Sequence, residues 1–410
     1  MGWYIPIVGR AARFAVPDSQ PLQLPRGHIP ALDGIRGLAI LLVTAYRFAG
    51  PHDESTPGWA LPLIDLGNRG VDLFFVLSGF LITGILFDAK GQASYFRNFY
   101  ARRTLRIFPL YYTTLFVVLV LLPLLGISTA WLKASTTDLN SLWLYGSNLM
   151  MSHRGEWNFG GLNHFWSLCV EEHFYLVWPL VIFALSRTNA MRLCIGLFCL
   201  SAGSRIAWIL LGGTGPATEV FTLFRLDSLC AGAWIALAAR GPNGLGALLP
   251  AARSVLLVSG LLLLRLVVLR MRLMTIPTTL FACFFAAFIL LAVASAKQGI
   301  LSCLGRSSFL QWFGRYSYGM YVYQNLLLYG LASVFTAQSL QQLTGSALFG
   351  RLGFMLVMSL LTCGLAWLSW HSYEKRLLAF KHLFESKRPT VPLEQIGATL
   401  PAKEARVAHT

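Results

Sequence analysis

Charged residues are scarce in this chain, and acidic residues are scarcer than basic ones. Of its 410 residues only 12% are Asp, Glu, Lys or Arg, whereas 56% are hydrophobic and the mean hydropathy is +0.60. A soluble domain carries about 25% charged residues, because its surface has to be solvated. The composition therefore excludes a soluble enzyme or binding module and predicts an integral membrane protein.

The seven cysteines show no metal-ligand spacing. They lie mostly inside apolar segments, at Cys169, Cys194, Cys199, Cys230, Cys283, Cys303 and Cys363. Cysteines in such surroundings behave as small hydrophobic residues. We therefore expect neither a zinc site nor a disulfide framework, and no metal cofactor.

Ten stretches of the chain are long and apolar enough to span a bilayer. They lie at residues 33–50, 71–88, 107–126, 166–185, 193–212, 223–239, 254–269, 276–296, 316–336 and 350–371. If the N-terminus is inside, Lys and Arg concentrate in the cytoplasmic segments, which is the positive-inside asymmetry. The sequence thus predicts an all-α polytopic membrane helix bundle in the cell (inner) membrane, with both termini cytoplasmic and the loop 128–163 external.

Three regions follow from this pattern. Residues 1–30 lack the continuous apolar core of a signal peptide and are predicted to form a cytoplasmic N-terminal tail. Residues 31–377 form the membrane domain, and residues 378–410 form a cytoplasmic C-terminal tail that meets anionic headgroups of membrane lipids. The net charge of +16 reflects this topology. Because no soluble basic module is present, nucleic-acid binding is not predicted.

The first apolar stretch carries charges that a lipid-spanning helix accommodates only at high cost. Asp33 and Arg36 lie near its start, and Arg47 lies near its end. At about 100° per residue Arg36 and Arg47 share one helix face, about 16 Å apart along the axis. Charged groups inside a membrane are candidate functional groups, so this stripe of two cations indicates a site.

Two further arginines, Arg103 and Arg106, are spaced three residues apart at the start of the third span. This spacing places them on one helix face. Guanidinium groups pair bidentately with phosphate, which favours a nucleotide or acyl-CoA phosphate site. The alternative is a topology signal bound to lipid headgroups, and the motif alone does not decide between the two.

The second span contains Ser78 followed by Gly79. Small residues in a membrane helix allow a neighbouring backbone to approach closely. The pattern favours a packing seam over a catalytic serine.

The fourth span begins with four titratable side chains, His164, Glu171, Glu172 and His173. The adjacent Glu171, Glu172 and His173 point in different directions on a helix, and His164 lacks the i, i+4 partner of a helical zinc site. A carboxylate and an imidazole that lie close together can instead transfer a proton. This segment therefore predicts a general base, for which His173 or His164 with Glu172 are the candidates.

These motifs together resemble the acyltransferase-3 family of multispanning membrane O-acyltransferases. The similarity covers about residues 31–377 and is carried by the following segments, in the order typical of the family: LDGIRGLAILLV, GVDLFFVLSGFLIT, YARRTLRIFPLYY, HFWSLCVEEHFYLVWP, Arg225-Leu226-Asp227, FGRYSYGMYVY and Tyr373-Glu374-Lys375. The resemblance implies about ten spanning helices. It also implies transfer of an acyl group, commonly acetyl from acetyl-CoA, to a hydroxyl of a surface carbohydrate or, in some members, of a small molecule.

The resemblance also assigns roles to single residues, with two departures. Arg36 matches the arginine of the family's first-helix motif, and Arg103 with Arg106 match its Arg-x-x-Arg pair. The family's first-helix histidine, regarded as the catalytic base, is replaced by Arg47, and Gln324 stands where the late motif usually has a histidine. Arginine cannot be deprotonated at working pH and therefore cannot serve as a general base.

We interpret the chain as a membrane-embedded acyltransferase that moves an acyl group from acyl-CoA to a hydroxyl of a carbohydrate or other envelope-associated acceptor. Arg103 and Arg106 would bind the phosphates of CoA, and Arg36 and Arg47 would hold anionic or oxyanionic groups in a polar channel. Two alternatives remain at this stage: a family relative without catalytic activity, which the two missing histidines favour, and a transporter of solutes, which also uses intramembrane charges.

Overall fold

The computed structural model describes residues 28–49, 61–127, 129, 131–132, 134–269, 278–294 and 304–384. Throughout these residues the chain forms helices and loops without strands, and the predicted all-α fold is confirmed. The described helices of eight or more residues are α1 Pro30–Phe48, α2 Leu61–Asn68, α3 Gly70–Ala89, α4 Tyr95–Phe116, α5 Thr136–Trp143, α6 Ser147–Arg154, α7 Trp166–Ala184, α8 Arg187–Leu210, α9 Leu226–Ala238, α10 Leu249–Val268, α11 Thr278–Ala294, α12 Ser308–Gly330, α13 Ala337–Thr344 and α14 Ala347–Ser369.

Six helical stretches are long and apolar enough to cross a membrane. They are Ile64–Ala89, Tyr95–Leu124, Gly160–Ala184, Arg187–Leu210, Gly246–Val268 and Ala347–Phe384. The other four predicted spans coincide with helices that are shorter or carry more polar groups, namely α1, α9, α11 and α12. The count of ten and the orientation of the termini stay predictions, and most of the two predicted tails lies outside the described residues.

The predicted external loop 128–163 contains two short helices, α5 and α6, that the sequence analysis did not predict. The hydroxyl of Ser135 caps α5 by accepting a hydrogen bond from the Asp138 amide at 3.2 Å. Gly155 ends α6 in the left-handed conformation, with φ +71°. Tyr111 and Tyr112 of α4 donate hydrogen bonds to the Leu142 and Trp143 carbonyls. This segment is therefore packed onto the bundle.

Two pairs of helices run parallel at very short distance, α1 with α12 and α3 with α9. A Cβ added to Gly37 of α1 would lie 1.9 Å from the Leu310 carbonyl oxygen of α12. A Cβ added to Gly79 of α3 would lie 1.9 Å from the Leu229 oxygen of α9, and a Cβ on Gly232 would lie 1.9 Å from the Val76 oxygen. The packing-seam prediction for Gly79 is thus supported, because only a residue without a side chain fits at these crossings.

Replacement of Gly232 by Ala is expected to destabilise the bundle by about 1–3 kcal/mol, since the added methyl group collides with the α3 backbone. The expected result is a lower thermal midpoint of the detergent-solubilised protein. Gly203→Ala in α8 is the matched control, because no atom lies within 4 Å of its added Cβ. Equal midpoints for the two variants would contradict the close α3–α9 crossing.

Buried ion pairs fix the first turns of α3 and α9 relative to each other. Asp72 of α3 accepts hydrogen bonds from Arg225 at 2.7 Å and from Arg69 at 3.1 Å. Asp227 of α9 accepts from Arg205 of α8 at 2.8 Å. All five side chains are at most 4% exposed. Breaking such a pair leaves an uncompensated buried charge, so these contacts strongly constrain where α3 lies.

Candidate active site

A cavity lies where α1, α3, α4, α7 and α12 meet. Its volume is about 100 Å³, and its polar lining comes from all five helices: Arg36, Ser78, Arg103, Arg106, Ser167, Glu171, Tyr175, Ser317, Tyr318 and Tyr321. Apolar residues of α3 between Val71 and Ile82, together with Ile107 of α4 and Leu168 of α7, complete the wall. Four charged groups around a small intramembrane cavity mark it as a candidate functional site.

Ser78, Glu171 and Tyr175 form a hydrogen-bonded triangle in this cavity. The Ser78 hydroxyl donates to Glu171 Oε1 at 2.6 Å, and the Tyr175 hydroxyl donates to Glu171 Oε2 at 2.9 Å. The two hydroxyl oxygens are 3.0 Å apart. Glu171 and Tyr175 can share the carboxylate because residues four apart on α7 lie on the same helix face.

The positions of the two hydroxyl protons determine which charged forms of this triangle can be stabilised. Ionised Glu171 accepts both hydroxyl protons, one on each oxygen, so the 3.0 Å contact between Ser78 and Tyr175 then contains no proton. If the Ser78 proton moves to Glu171, the serine oxygen can accept a hydrogen bond from Tyr175 instead. The triangle can therefore hold a proton on Glu171 while it stabilises negative charge on the serine oxygen.

Three arginines surround this triangle. The Arg103 guanidinium carbon lies 5.5 Å from the centre of the Tyr175 ring. Glu171 and Arg106 are close enough to interact electrostatically with Arg103. Arg36 donates a hydrogen bond to Asp33 at 2.8 Å. Within the described part of the chain, Arg103 and Arg106 have no carboxylate within ion-pair distance. The cavity therefore has a net positive charge that an anionic ligand would balance.

The C-terminal helical turn adds a cation that the sequence analysis did not include in the site. Lys381 lies in the turn Phe380–Phe384, and its electrostatic neighbours are Arg106, Arg103, Arg102 and Arg36. The predicted C-terminal tail thus begins with a segment whose lysine joins the arginine cluster. No local motif marks this position, because the two cationic groups are far apart in the chain and are brought together only by folding.

Glu172 and His173 are adjacent to Glu171 on α7 but lie outside the cavity wall in the described part of the chain. His173 Nδ1 lies 2.8 Å from the Thr222 hydroxyl, and Glu172 Oε1 is buried without a hydrogen-bond partner in the described structure. Both residues lie near Tyr145, which has the unusual positive φ of 54°. The assignment of His173 as a general base with Glu172 as its partner stays a prediction.

His164 is buried near Arg47, one of the two positions where a family histidine is replaced. It is 1% exposed, and its Nε2 lies 3.2 Å from the Val322 carbonyl oxygen. Since a carbonyl only accepts, Nε2 carries the proton in this contact. Arg47 is an electrostatic neighbour of His164, and Gln324 accepts a hydrogen bond from Thr44 at 3.3 Å. Neither His164 nor Arg47 belongs to the wall of the cavity that holds Glu171.

A metal site was not predicted. In the ranges that the structure describes, no group of three or more His, Cys, Asp or Glu side chains is placed to hold a metal ion. Six of the seven cysteines lie in these ranges and are free thiols. Cys303 lies outside the described residues.

The sequence model of one family, described as an acyltransferase domain, matches residues 29–371. This match covers the cavity and all the predicted site residues. The chain belongs to the acyltransferase-3 family. The expected membership in a family of acyltransferases is confirmed.

Three curated relatives illustrate the similarity. The peptidoglycan O-acetyltransferase OatA of Listeria monocytogenes is 30% identical over 322 residues, which are 73% of this chain and 49% of that protein. The provisionally named peptidoglycan O-acetyltransferase YrhL of Bacillus subtilis is 34% identical over 191 residues, 45% of this chain and 26% of that protein. A provisionally named O-acetyltransferase of Staphylococcus aureus strain COL is 32% identical over 182 residues, 41% of this chain and 27% of that protein.

The chain spans about half or less of the length of these curated relatives. No solved structure matched it. The comparisons thus establish the family.

Proposed function

We propose that the protein transfers an acetyl group from acetyl-CoA to a hydroxyl of a cell-envelope carbohydrate such as peptidoglycan. The main support is a half-buried carboxylate, Glu171, that faces a cavity with three arginines in a chain of an acyltransferase family. A carboxylate can take the proton of an attacking hydroxyl, and the arginines can balance the anionic donor. The similarity to the peptidoglycan O-acetyltransferases of L. monocytogenes and B. subtilis supports the acceptor class.

The cation cluster fits the donor. CoA carries a pyrophosphate and a further phosphate, so its binding requires several cations close together. Arg103 and Arg106 face the cavity without a carboxylate partner in the described structure, and Lys381 extends the cluster. We propose that Arg103 and Arg106 hold the CoA phosphates at the cytoplasmic side, with Lys381 beside them.

The proposed base is Glu171. The sequence motifs favoured Glu172 with His173 or His164. Of these three residues and Glu171, Glu171 alone contributes to the wall of the described cavity. Glu171 also has the neighbours that a base needs, because Tyr175 orients its second oxygen. In this proposal Glu171 replaces the missing family histidine, and Arg47 has an electrostatic role near His164.

The proposed function is tested with the full chain in proteoliposomes. Radiolabelled acetyl-CoA is supplied on one side, and a soluble peptidoglycan oligosaccharide is supplied as acceptor. We expect alkali-labile acetate on the sugar, in proportion to the amount of protein, and none with empty liposomes. Labelled acetate that never becomes ester-linked to the carbohydrate would overturn the proposed acceptor class.

The proposed orientation is tested by cysteine labelling in a background without reactive native cysteines. Asn140→Cys is expected to react with an impermeant maleimide added from outside, because residue 140 is exposed in the loop predicted to be external. Gln92→Cys, which is exposed in the short turn between α3 and α4, is expected to react only after permeabilisation. The reverse pattern would place the arginine cluster on the outer side and exclude a cytoplasmic donor.

A further inference from the structure

We propose that Ser78 is a nucleophile that carries the acyl group covalently between donor and acceptor. This inference rests on the proposed function, because it concerns the path of the same acetyl group. It also revises the sequence-based expectation that Ser78 serves only in helix packing. The residue next to it, Gly79, forms the packing seam, whereas Ser78 faces the cavity.

The hydrogen bonds of Ser78 are those of an activated hydroxyl. Its proton points at Glu171 Oε1 at 2.6 Å, which is within the range for direct proton transfer. Glu171 is in turn held by Tyr175 at 2.9 Å. A nucleophile, a base and a group that orients the base are the three parts of a serine-type acyl-transfer site.

The position of Ser78 is fixed from both sides of α3. On one side Gly79 crosses α9 at very short distance, and at the start of the helix Asp72 is held by buried ion pairs. On the other side Glu171 and Tyr175 of α7 contact the hydroxyl. Such a position keeps the serine oxygen in place for attack, as covalent catalysis requires.

The size of the cavity favours two separate half-reactions. Its volume is about 100 Å³, whereas pockets that enclose a ligand of drug size have about 300–1,000 Å³. The cavity therefore does not enclose a thioester arm and a sugar ring at the same time. An acetyl group does fit, so a serine that stores it allows the donor to leave before the acceptor arrives.

The proposed chemistry balances without a further reactant. In the first half-reaction the Ser78 oxygen bonds to the thioester carbon, and its proton moves to Glu171. The carbon–sulfur bond breaks, and Glu171 returns the proton to the sulfur, so CoA leaves as a free thiol. In the second half-reaction the acceptor hydroxyl attacks the ester carbon and gives its proton to Glu171. The bond to the serine oxygen then breaks, and Ser78 takes that proton back.

The test is isotope exchange in the absence of any acceptor. With the full chain in detergent or proteoliposomes, labelled CoA is expected to appear in acetyl-CoA, because the first half-reaction is reversible. Acid-quenched protein is expected to carry acetate on the peptide that contains Ser78, and hydroxylamine is expected to release it. Ser259→Ala is the control, because this buried serine of α10 donates to the Val255 carbonyl of its own helix.

Two variants make the result decisive. Ser78→Ala is expected to reduce exchange and labelling to background, whereas Ser78→Cys is expected to keep a nucleophile of similar size and to carry the acetyl group as a thioester. Acetate transfer to carbohydrate by the wild type without exchange or label, or full transfer by Ser78→Ala, would overturn the inference and leave the proposed function standing. Absence of both transfer and exchange in the wild type would overturn both.

Discussion

Glu171→Gln is expected to lower the rate of acyl transfer by about 10²- to 10⁴-fold, the usual contribution of a general base. The amide keeps the size of the side chain and can still accept a hydrogen bond, but it cannot take the proton of the attacking hydroxyl. Folding and donor binding are expected to stay close to wild type. The measurement is initial-rate transfer from labelled acetyl-CoA, with donor affinity determined separately.

The matched controls for this prediction lie on the same helix. Glu172→Gln and His173→Gln change neighbouring polar groups that do not contribute to the cavity wall of the described structure. They are expected to change the rate by less than about tenfold, since the contribution of a base is lost only where the base is removed. A loss in Glu172→Gln or His173→Gln as large as in Glu171→Gln would instead support the base predicted from the sequence.

The double replacement Arg103→Ala with Arg106→Ala is expected to weaken acetyl-CoA binding by about 10²- to 10⁴-fold. Each charge-assisted hydrogen bond to a phosphate contributes about 1.5–3 kcal/mol, or about 10- to 100-fold in affinity. Lys at both positions is expected to restore only part of the affinity, because a lysine presents a point charge in place of a bidentate fork. Equilibrium binding of acetyl-CoA to the purified protein measures the effect.

Arg97→Ala is the control for this experiment. Arg97 lies on α4 as Arg103 and Arg106 do, but it is exposed and donates to the hydroxyl of Ser94 at 3.3 Å. Its removal is expected to leave acetyl-CoA affinity unchanged. If the double variant binds as tightly as Arg97→Ala, the Arg-x-x-Arg pair serves topology or lipid headgroups, the alternative that the sequence left open.

The candidate site could be predicted from the sequence in part. Arg36, Arg103, Arg106 and Glu171 were recognisable because charges inside apolar stretches are rare. The partners of these residues were not recognisable. Ser78 is an ordinary small residue of an apolar helix, and its role depends on a carboxylate on a helix 93 positions away in the chain. The residue pattern within either helix does not predict a contact between the two helices.

The choice among adjacent titratable groups also required the fold. Glu171, Glu172 and His173 are consecutive, so the sequence alone shows only that they point in different directions. The rotation of α7 about its axis decides which of them faces the cavity, and this rotation is set by packing against α3 and α4. The Tyr100 hydroxyl of α4, for example, donates to the Leu176 carbonyl at 2.8 Å.

The sequence by itself determined the membrane location, the all-helical class and the family, because these depend on composition, on the length of apolar stretches and on motifs that are local in the chain. The tertiary structure alone decided which polar groups meet. It brought Glu171 into hydrogen-bond contact with Ser78, left Glu172 and His173 outside the cavity wall, and brought Lys381 to the arginine cluster. The physical reason is that an intramembrane polar site is built from side chains on several helices, and only the packing of those helices fixes the distances between them.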